Sequence, residues 1–207
     1  NNISNKNSWY GENTFYYWLW KNNLKQNFDA EWIGFCHYRR FWNNNNAIKN
    51  NEEFRKSIVS DAPKEWNNYD VVLRDEICDN STKLSKIWKH GKKQLLVNPF
   101  VFFSKKKMTV KVHYDMYHGF GEMDQAIELL DNENRNDFRE WVNTAQSFNA
   151  NNVFICRSQK LYEDYCKILF NWLEKCESVF GFDPERSYSR IRVYAFLAER
   201  FLSYWFK

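Results

Sequence analysis

Three short apolar runs, rich in β-branched and aromatic side chains, stand out along this chain of 207 residues. Runs of this kind, without a polar face, are typical of strands buried on both sides of a sheet. We therefore predict strands over residues 31–38, 69–75 and 151–158.

Longer stretches place apolar residues at the three- and four-residue spacing of amphipathic helices. The clearest covers 159–180 and is followed by Gly181, a residue type that commonly ends helices. A short amphipathic helix is also expected within 43–60, after an Asn-rich loop. The remaining helices are predicted over 10–26, 108–118, 121–131, 136–146 and 189–207.

Helices alternating with buried strands are typical of α/β proteins. The length of the chain suits one domain, so we predict a single domain over residues 1–207. Residues 76–107 mix basic and apolar residues with little periodicity, and we expect them to form a mobile insertion. Six Gly and three Pro are too few for an all-β sandwich with many tight turns.

Composition and charge narrow the classes of function. Aromatic residues make up 19% of the chain, which favours exposed surfaces that stack on sugars or bases. The formal net charge of +4 accommodates an anionic ligand but is too small to indicate nucleic acid. The five Cys include no Cys-x-x-Cys pair, and no apolar run reaches the about 18 residues of a membrane span. These features favour a cytoplasmic protein with reduced thiols.

The first predicted strand ends in side chains suited to binding an anion, namely His37, Tyr38, Arg39 and Arg40. In open α/β sheets, ligands bind beyond the carboxyl ends of the strands. Two guanidinium groups at that place can hold a phosphate or diphosphate through bidentate, charge-assisted hydrogen bonds. The alternative is that one Arg enters a surface salt bridge and the other points into solvent.

The same residues carry a resemblance to a known family. The stretches "ENTFYYWLWKN" (12–22) and "WIGFCHYRRFW" (32–42) resemble the signature of a bacterial family from capsule, exopolysaccharide and lipopolysaccharide gene products. That family was long known only as a domain of unknown function and is now grouped with nucleotide-sugar glycosyltransferases. The matching positions are Glu12, Thr14, Tyr17, Trp18, Trp20, Lys21, Asn22, His37, Tyr38, Arg39 and Arg40.

Later stretches resemble the family in the same order, so the resemblance covers nearly the whole chain. They are 69–73, 112–130, 151–177 and 192–201. Two features depart from the family pattern. Members normally have an earlier stretch with the first βα units, so the resemblance implies that this chain is incomplete at its N-terminus or that its pocket is completed differently. Arg74 and Asp75 also stand where members usually have Pro.

The resemblance implies a GT-A-like fold, a Rossmann-type sandwich with a mostly parallel central sheet and helices on both faces. It implies an enzyme that transfers a hexosyl or furanosyl group from a nucleotide-diphosphate sugar to a hydroxyl of a growing bacterial surface glycan. Many such enzymes end this strand in Asp-x-Asp, which holds a divalent metal against the diphosphate. Because fixed cations stand here instead, no metal is expected to be required. The alternative Mn²⁺ or Mg²⁺ site would use Asp70 and Asp75, or Asp75 with Glu76 and Asp79.

A second cluster supplies candidates for the catalytic base. An inverting glycosyl transfer needs a carboxylate or an imidazole to take the proton of the acceptor hydroxyl. Asp124 lies where the family's Asp follows its His, so it is the first candidate, with His118 second and Glu122 beside them. The alternative is that Glu122 and Asp124 are acids in the first turn of a helix, where they favour the helix dipole.

Further polar residues are expected near the donor. Asn151 and Asn152 open the third predicted strand and are candidates for sugar contacts, as is Trp18. A plain turn and a helix core, respectively, are the alternatives. Arg192 is expected to reach the diphosphate. The adjacent Glu and Arg at 199–200 lie in an apolar helix, where buried charges need partners, so an internal ion pair is favoured.

The expected partners are a nucleotide-sugar donor and a glycan or lipid-linked glycan acceptor. A lipid-linked acceptor would bring the protein to the inner face of the cytoplasmic membrane. The basic stretches 83–93 and 104–107, near Phe100, could contact anionic lipid there, although solvated basic loops are the alternative. A non-catalytic glycan-binding module is the alternative function, and the sequence leaves the oligomeric state open.

Overall fold

The computed structural model describes residues 1–22, 31–37, 39–43, 50–78, 91–101 and 104–207. Within these residues the protein is a mixed α/β structure in which helix predominates. Strands β1 to β5 comprise Ile33–Gly34, Val71–Leu73, Glu76–Cys78, Ser147–Asn149 and Phe154–Cys156. Helices α1 to α10 comprise Asn7–Tyr10, Asn13–Asn22, Asn51–Ser57, Lys92–Val97, Val110–Tyr117, Glu122–Glu128, Asn132–Thr144, Gln159–Phe180, Tyr188–Ile191 and Val193–Trp205.

The three predicted strands meet in one sheet with the order β1-β5-β2. All three residues of β5 are buried at its centre. Both pairings are antiparallel, with Ile33 and Val71 each opposite Cys156. This differs from the mostly parallel sheet that the family resemblance implies. An apolar run records that a strand is buried on both faces, but it carries no information on the direction of its neighbours.

Part of the predicted insertion is regular structure. β3 pairs antiparallel with β4, with Ile77 opposite Phe148. Helix α4 and the 3-10 helices Pro99–Val101 and Lys105–Lys107 follow, and buried Val101 belongs to a small apolar cluster completed by Met108, Val112 and Met116. Parts of the region 76–107, predicted to be a mobile insertion, therefore form regular structure, while residues 79–90 and 102–103 lie outside the described part of the chain. This region packs on α5 through apolar residues that are widely spaced along the chain. They are too few to give the periodic pattern from which a helix is predicted.

Two predicted helices are interrupted, and both interruptions matter for the site. The stretch predicted as one helix over 10–26 contains α1, then Gly11 at φ +56°, and then α2. The stretch predicted over 189–207 contains α9, then Arg192 in a non-helical conformation, and then α10. Apolar periodicity continues through each break because both sides of it face the same core.

Helices α8 and α10 form the centre of the core. Ser158 caps α8 by accepting a hydrogen bond from the backbone N–H of Leu161 at 3.0 Å, and the helix ends at Gly181 in a positive-φ conformation that favours glycine. Trp172 is buried and donates its indole N–H to the carbonyl of Ala126 at 2.6 Å, which ties α8 to α6. The many aromatic residues are therefore used largely as core, with T-shaped and stacked ring pairs at α7, α8 and α10.

Two buried tyrosines fasten α2 to the rest of the molecule. The hydroxyl of Tyr162 donates to the carbonyl of Tyr16 at 2.8 Å, and the hydroxyl of Tyr16 donates to the carbonyl of Asn152 at 2.7 Å. Buried hydroxyls need such partners, so this chain of hydrogen bonds sets the distance between α2, α8 and the loop before β5.

The five cysteines are divided between the interior and the surface. Cys156, Cys166 and Cys176 are buried, whereas Cys36 and Cys78 are exposed, and all five are free. Among the helices that the structure describes, none combines the length and apolar character needed to cross a bilayer.

Leu173 of α8 is fully buried, so shortening it should leave a cavity in the core. We expect Leu173→Ala to lower the free energy of unfolding by about 2–5 kcal/mol. The matched control is Leu96→Ala in α4, where the leucine is 86% exposed and the change should stay within about 0.5 kcal/mol. Urea unfolding of both variants checks the difference, and equal midpoints would contradict this account of the core.

Candidate functional site

The chain turns back on itself directly after β1. The backbones of His37 and Arg40 exchange two hydrogen bonds, of 3.1 and 2.9 Å, which close a tight hairpin. The indole N–H of Trp42 donates to the carbonyl of Phe35 at 2.7 Å and holds the returning segment against the strand. The cationic cluster predicted beyond the strand is therefore displayed at a hairpin tip.

The hairpin tip lines a cleft of about 300 Å³, to which three other segments of the chain contribute. The polar side chains that line this cleft are Glu12, His37, Arg39, Arg40, Asn151, Asn152, Arg192 and Glu199. The structure thus brings together the predicted diphosphate-binding residues other than Tyr38, which lies outside the described residues. It also brings the predicted sugar-binding Asn151 and Asn152 to the same cleft.

The two asparagines adopt left-handed backbone conformations, with φ of 76° for Asn151 and 50° for Asn152. Asn tolerates this conformation better than most residues, which explains why a pair of them stands at this turn. Asn152 is buried and donates its side-chain amide to Glu12 Oε1 at 3.0 Å and to the carbonyl of Ala195 at 3.1 Å. Within the described structure its Oδ1 atom is buried without a hydrogen-bond partner. That oxygen therefore has unused capacity to accept a hydrogen bond.

Arg192 reaches the cleft from the break between α9 and α10. Its guanidinium lies 4.0 Å from Glu12 Oε2 and packs against Gly11. A Cβ atom on Gly11 would lie 2.7 Å from Arg192 Nη2, so the absence of a side chain at position 11 leaves room for the guanidinium. The break in the N-terminal helix therefore positions both an acid and an arginine of the cleft.

Glu199 enters the cleft from α10 and is held at both carboxylate oxygens. Oε1 accepts a short hydrogen bond from the backbone N–H of Asn151, and Oε2 accepts one from Arg200 Nη1. Burial raises the pKa of the Glu199 carboxyl, while the charge of Arg200 and the Asn151 N–H act in the opposite direction. The internal ion pair favoured from the sequence is present, but its carboxylate also faces the cleft.

Behind Glu199, the side chain of Arg200 is 1% exposed and contacts two histidines, the partly buried His113 and the buried His118. Its Nη2 atom lies 3.1 Å from His113 Nδ1 and 3.4 Å from His118 Nε2. Burial and the charge of Arg200 lower the pKa of His113 to about 3 and lower that of His118 well below its usual value. Both imidazoles are therefore neutral at pH 7 and accept from the guanidinium, while His118 Nδ1 donates to the carbonyl of Ser189 at 2.9 Å.

The three residues predicted for proton transfer do not line the cleft. Asp124 is exposed in the first turn of α6, the position that the alternative gives it, and it also pairs with Lys111 at 3.0 Å. Glu122 is buried and accepts a hydrogen bond from Arg190 at 3.2 Å. His118 stacks on Phe196 with ring centroids 3.7 Å apart and reaches Glu199 only through Arg200.

The remaining candidates also lie outside the cleft lining. Trp18 is partly exposed on α2 and stacks with Phe15. Asp70 and Asp75 are exposed, and Asp79 is outside the described residues. In the described ranges, no group of three or more His, Cys, Asp or Glu side chains is placed to hold a metal ion.

Two acids of the cleft, Glu12 and Glu199, were not assigned to the site from the sequence. Glu12 stands in the motif that carries the family resemblance, and Glu199 is a charge within an apolar helix, so each had a recognisable signal. What the sequence lacked was any sign that the two would meet. Together with three guanidinium groups, these acids make a cleft suited to a ligand with both an anionic group and free hydroxyls.

Comparisons with known proteins place the chain in a wider context. The family described as "Domain of unknown function (DUF4422)" matches residues 1–207. No curated protein matches the chain by sequence. The apo structure of the WbbM bifunctional glycosyltransferase shares its fold, with a TM-score of 0.69 and 22% identity. The match covers 99% of this chain and 34% of that protein, so the chain spans about a third of the length of its structural relative.

Gly11 and Gly181 offer a matched test of the packing at Arg192. Both have positive φ, so an alanine at either position should cost about 1–3 kcal/mol in backbone strain. Nothing lies within 4 Å of a Cβ added at Gly181, whereas at Gly11 it would meet Arg192. We expect Gly11→Ala to lower the free energy of urea unfolding by more than Gly181→Ala does. The reverse order would contradict the close approach of Arg192.

Proposed function

The chain belongs to the DUF4422 family, and we propose that it is a glycosyltransferase. The proposed reaction moves a sugar from a nucleotide-diphosphate donor to a hydroxyl of a growing bacterial surface glycan, such as a capsule, exopolysaccharide or lipopolysaccharide. The observation that carries the proposal is the convergence of Arg39, Arg40 and Arg192 with the buried amide of Asn152 in one cleft. The likeness in fold to part of WbbM supports it.

The arginines account for the diphosphate half of the donor. A diphosphate carries several anionic oxygens, and guanidinium groups bind them in bidentate, charge-assisted pairs. Such fixed cations would also stabilise the negative charge that grows on the diphosphate as its bond to the sugar breaks. We therefore propose that a divalent metal is not required, with Mn²⁺ or Mg²⁺ dependence as the alternative outcome.

The amide and acid beside the arginines account for the sugar half. Asn152 Oδ1 can accept from a sugar hydroxyl, and its amide group is already held by Glu12 and by the backbone of α10. An acceptor fixed in this way discriminates between hydroxyl positions, because a buried oxygen left without a donor costs binding energy. The cleft volume of about 300 Å³ is of the size that small-molecule sites have.

A surface near α4 supports action at a membrane. Leu96, Val97 and Phe100 are exposed, and the described lysines around them include Lys93 and Lys107. Lys107 Nζ lies 4.6 Å from the Phe100 ring centroid. Exposed apolar side chains among cations favour contact with anionic lipid, which we propose brings the protein to the inner face of the cytoplasmic membrane and a lipid-linked acceptor.

A separate aromatic pocket supports the alternative of a non-catalytic glycan-binding module. It has a volume of about 300 Å³ and is lined by Trp32, Trp42, Trp66 and Phe41, with Asp61 at the same pocket. Aromatic faces and a carboxylate suit a sugar ring and its hydroxyls. The two functions differ in one requirement, since only a transferase needs to bind the nucleotide diphosphate.

Changing Arg39 or Arg40 to Ala should weaken nucleotide binding. Loss of one charged hydrogen-bonding group costs about 1.5–3 kcal/mol, or about tenfold to hundredfold in Kd. Isothermal titration calorimetry with UDP, GDP, CDP and dTDP, in the presence of EDTA, measures this. The matched control is Arg139→Ala, because that arginine pairs with Glu128 on the surface outside the cleft.

Unchanged affinity in folded Arg39→Ala and Arg40→Ala variants would remove these arginines from the donor site. Binding only after addition of Mn²⁺ would instead favour an acidic metal site. Binding of oligosaccharides with no response to any nucleoside diphosphate would favour the glycan-binding module.

A further inference from the structure

Glu199 is the carboxylate of the cleft with the most fully specified environment. Glu199 is only 9% exposed, yet it lines the cleft beside the three arginines and the two asparagines. Hydrogen bonds from Asn151 N–H and from Arg200 fix both of its oxygens. A carboxylate held in this way is expensive to bury, and an ion pair with Arg200 alone would not require it to face a cleft.

We infer that Glu199 is the catalytic base, which takes the proton of the acceptor hydroxyl, and that Arg200 is its positioning residue. This assignment rests on the proposed glycosyl transfer. It differs from the assignment to Asp124, His118 and Glu122 that the sequence favours, because those side chains do not line the cleft, and the first of them is engaged by Lys111 outside it.

The step balances as a single displacement. The acceptor O–H bond breaks and its proton passes to a Glu199 oxygen, while the hydroxyl oxygen forms a bond to the anomeric carbon of the donor. The bond from that carbon to the diphosphate oxygen breaks, and its electron pair leaves with the diphosphate. Arg39, Arg40 and Arg192 line the same cleft and would meet the charge of the leaving group. Glu199 then returns the proton to water.

Arg200 holds Glu199 from the side away from the cleft. Its guanidinium donates to Glu199 Oε2 and lies 4.0 Å from the ring centroid of Phe148, while His113 and His118 accept from its other nitrogen. Because both imidazoles are neutral, they accept from Arg200 Nη2 without competing for the carboxylate's charge. The arrangement restrains the Glu199 side chain at a position where it lines the cleft.

The pH dependence follows from the groups around Glu199. The charged side chains that act on it include Arg200 on its own helix, Arg74 before β3 and Glu12 before α2, and the backbone N–H of Asn151 also faces it. The charged groups that share its cleft are Arg39, Arg40 and Arg192. Burial raises its pKa above that of an exposed Glu, so the ionised base is lost at a higher pH than for an exposed carboxylate. The rate should therefore fall on the acid side of a pH profile, with Glu199 protonation as the cause.

The first experiment compares Glu199→Gln with the unaltered chain. Gln keeps the shape and a hydrogen-bonding oxygen but cannot accept the proton. With the sugar nucleotide that binds best in a panel of UDP-, GDP-, CDP- and dTDP-sugars, and a mixture of alkyl glycosides as acceptors, we measure release of nucleoside diphosphate. Turnover should fall by about 100-fold or more, while the Kd for the nucleoside diphosphate stays within about twofold.

The matched control is Glu177→Gln, since Glu177 is a partly buried carboxylate that accepts hydrogen bonds from Lys6 and Tyr10 outside the cleft. It should turn over at the unaltered rate.

Turnover by Glu199→Gln equal to that of the unaltered chain would overturn the base assignment and leave nucleotide binding, and thus the proposed function, intact. A larger loss in Asp124→Asn than in Glu199→Gln would return the role to Asp124. An unaltered chain that releases no nucleoside diphosphate would overturn the transfer proposal and this assignment together.

A second variant tests Arg200 by a readout that a purely structural role would not move. Arg200→Met keeps an unbranched apolar stem and removes the guanidinium charge that lowers the pKa of Glu199. In variants shown to be folded by thermal melting, we expect kcat to fall with KM nearly unchanged, and the acid limb of the kcat profile to move to higher pH. An unmoved acid limb would overturn the coupling of Arg200 to Glu199. If Arg200→Met does not fold, Arg200→Lys, which keeps the charge, should leave the limb in place and lower kcat.

Discussion

The ion pair between Glu199 and Arg200 is the interaction on which the site depends. Arg200 is almost fully buried, and a buried guanidinium is stable only if hydrogen-bonding partners replace the water that it loses. Glu199, His113 and His118 supply partners for its two terminal nitrogens, from two helices and the turn after one of them. Removing any one partner would leave a buried charge poorly satisfied, so these elements are held together as a unit.

The same helix, α10, also fixes the loop that precedes β5. Ser203 Oγ accepts the backbone N–H of Asn149 at 2.7 Å, Glu199 accepts that of Asn151, and the carbonyl of Ala195 accepts the side-chain amide of Asn152. Three successive turns of one helix thus hold the 149–152 segment in a conformation that requires left-handed backbone at two residues. The strain of that backbone is offset by hydrogen bonds that only this packing provides. The amide of Asn152 is presented to the cleft as a result.

The cleft holds guanidinium groups and carboxylates side by side. Guanidinium groups come from the hairpin after β1 and from the start of α10, and carboxylates come from the break after α1 and from the middle of α10. Cations that are part of the chain need no metal to be loaded, and their charge does not depend on pH in the range where proteins work. A carboxylate beside these arginines can accept a proton only if it is not engaged in an ion pair with one of them. Hydrogen bonds from Arg200 and from the Asn151 N–H set the orientation of the Glu199 carboxylate and hold it apart from those arginines.

The sequence alone determined the three strands of the central sheet, most of the helices and the cationic residues that follow the first strand. Apolar runs located all three strands of the central sheet, periodicity located α8 with its end at Gly181, and the motif at 37–40 located the cationic hairpin. Only the tertiary structure decided that the sheet is antiparallel, that the helices break at Gly11 and Arg192, and that Glu12 and Glu199, rather than Asp124, face the cleft. The physical reason is that a local pattern records how much water a side chain loses on folding. It does not indicate which residue, distant in sequence, takes the place of that water as a partner. The acids and arginines of this cleft form a site only because such distant partners bring them together.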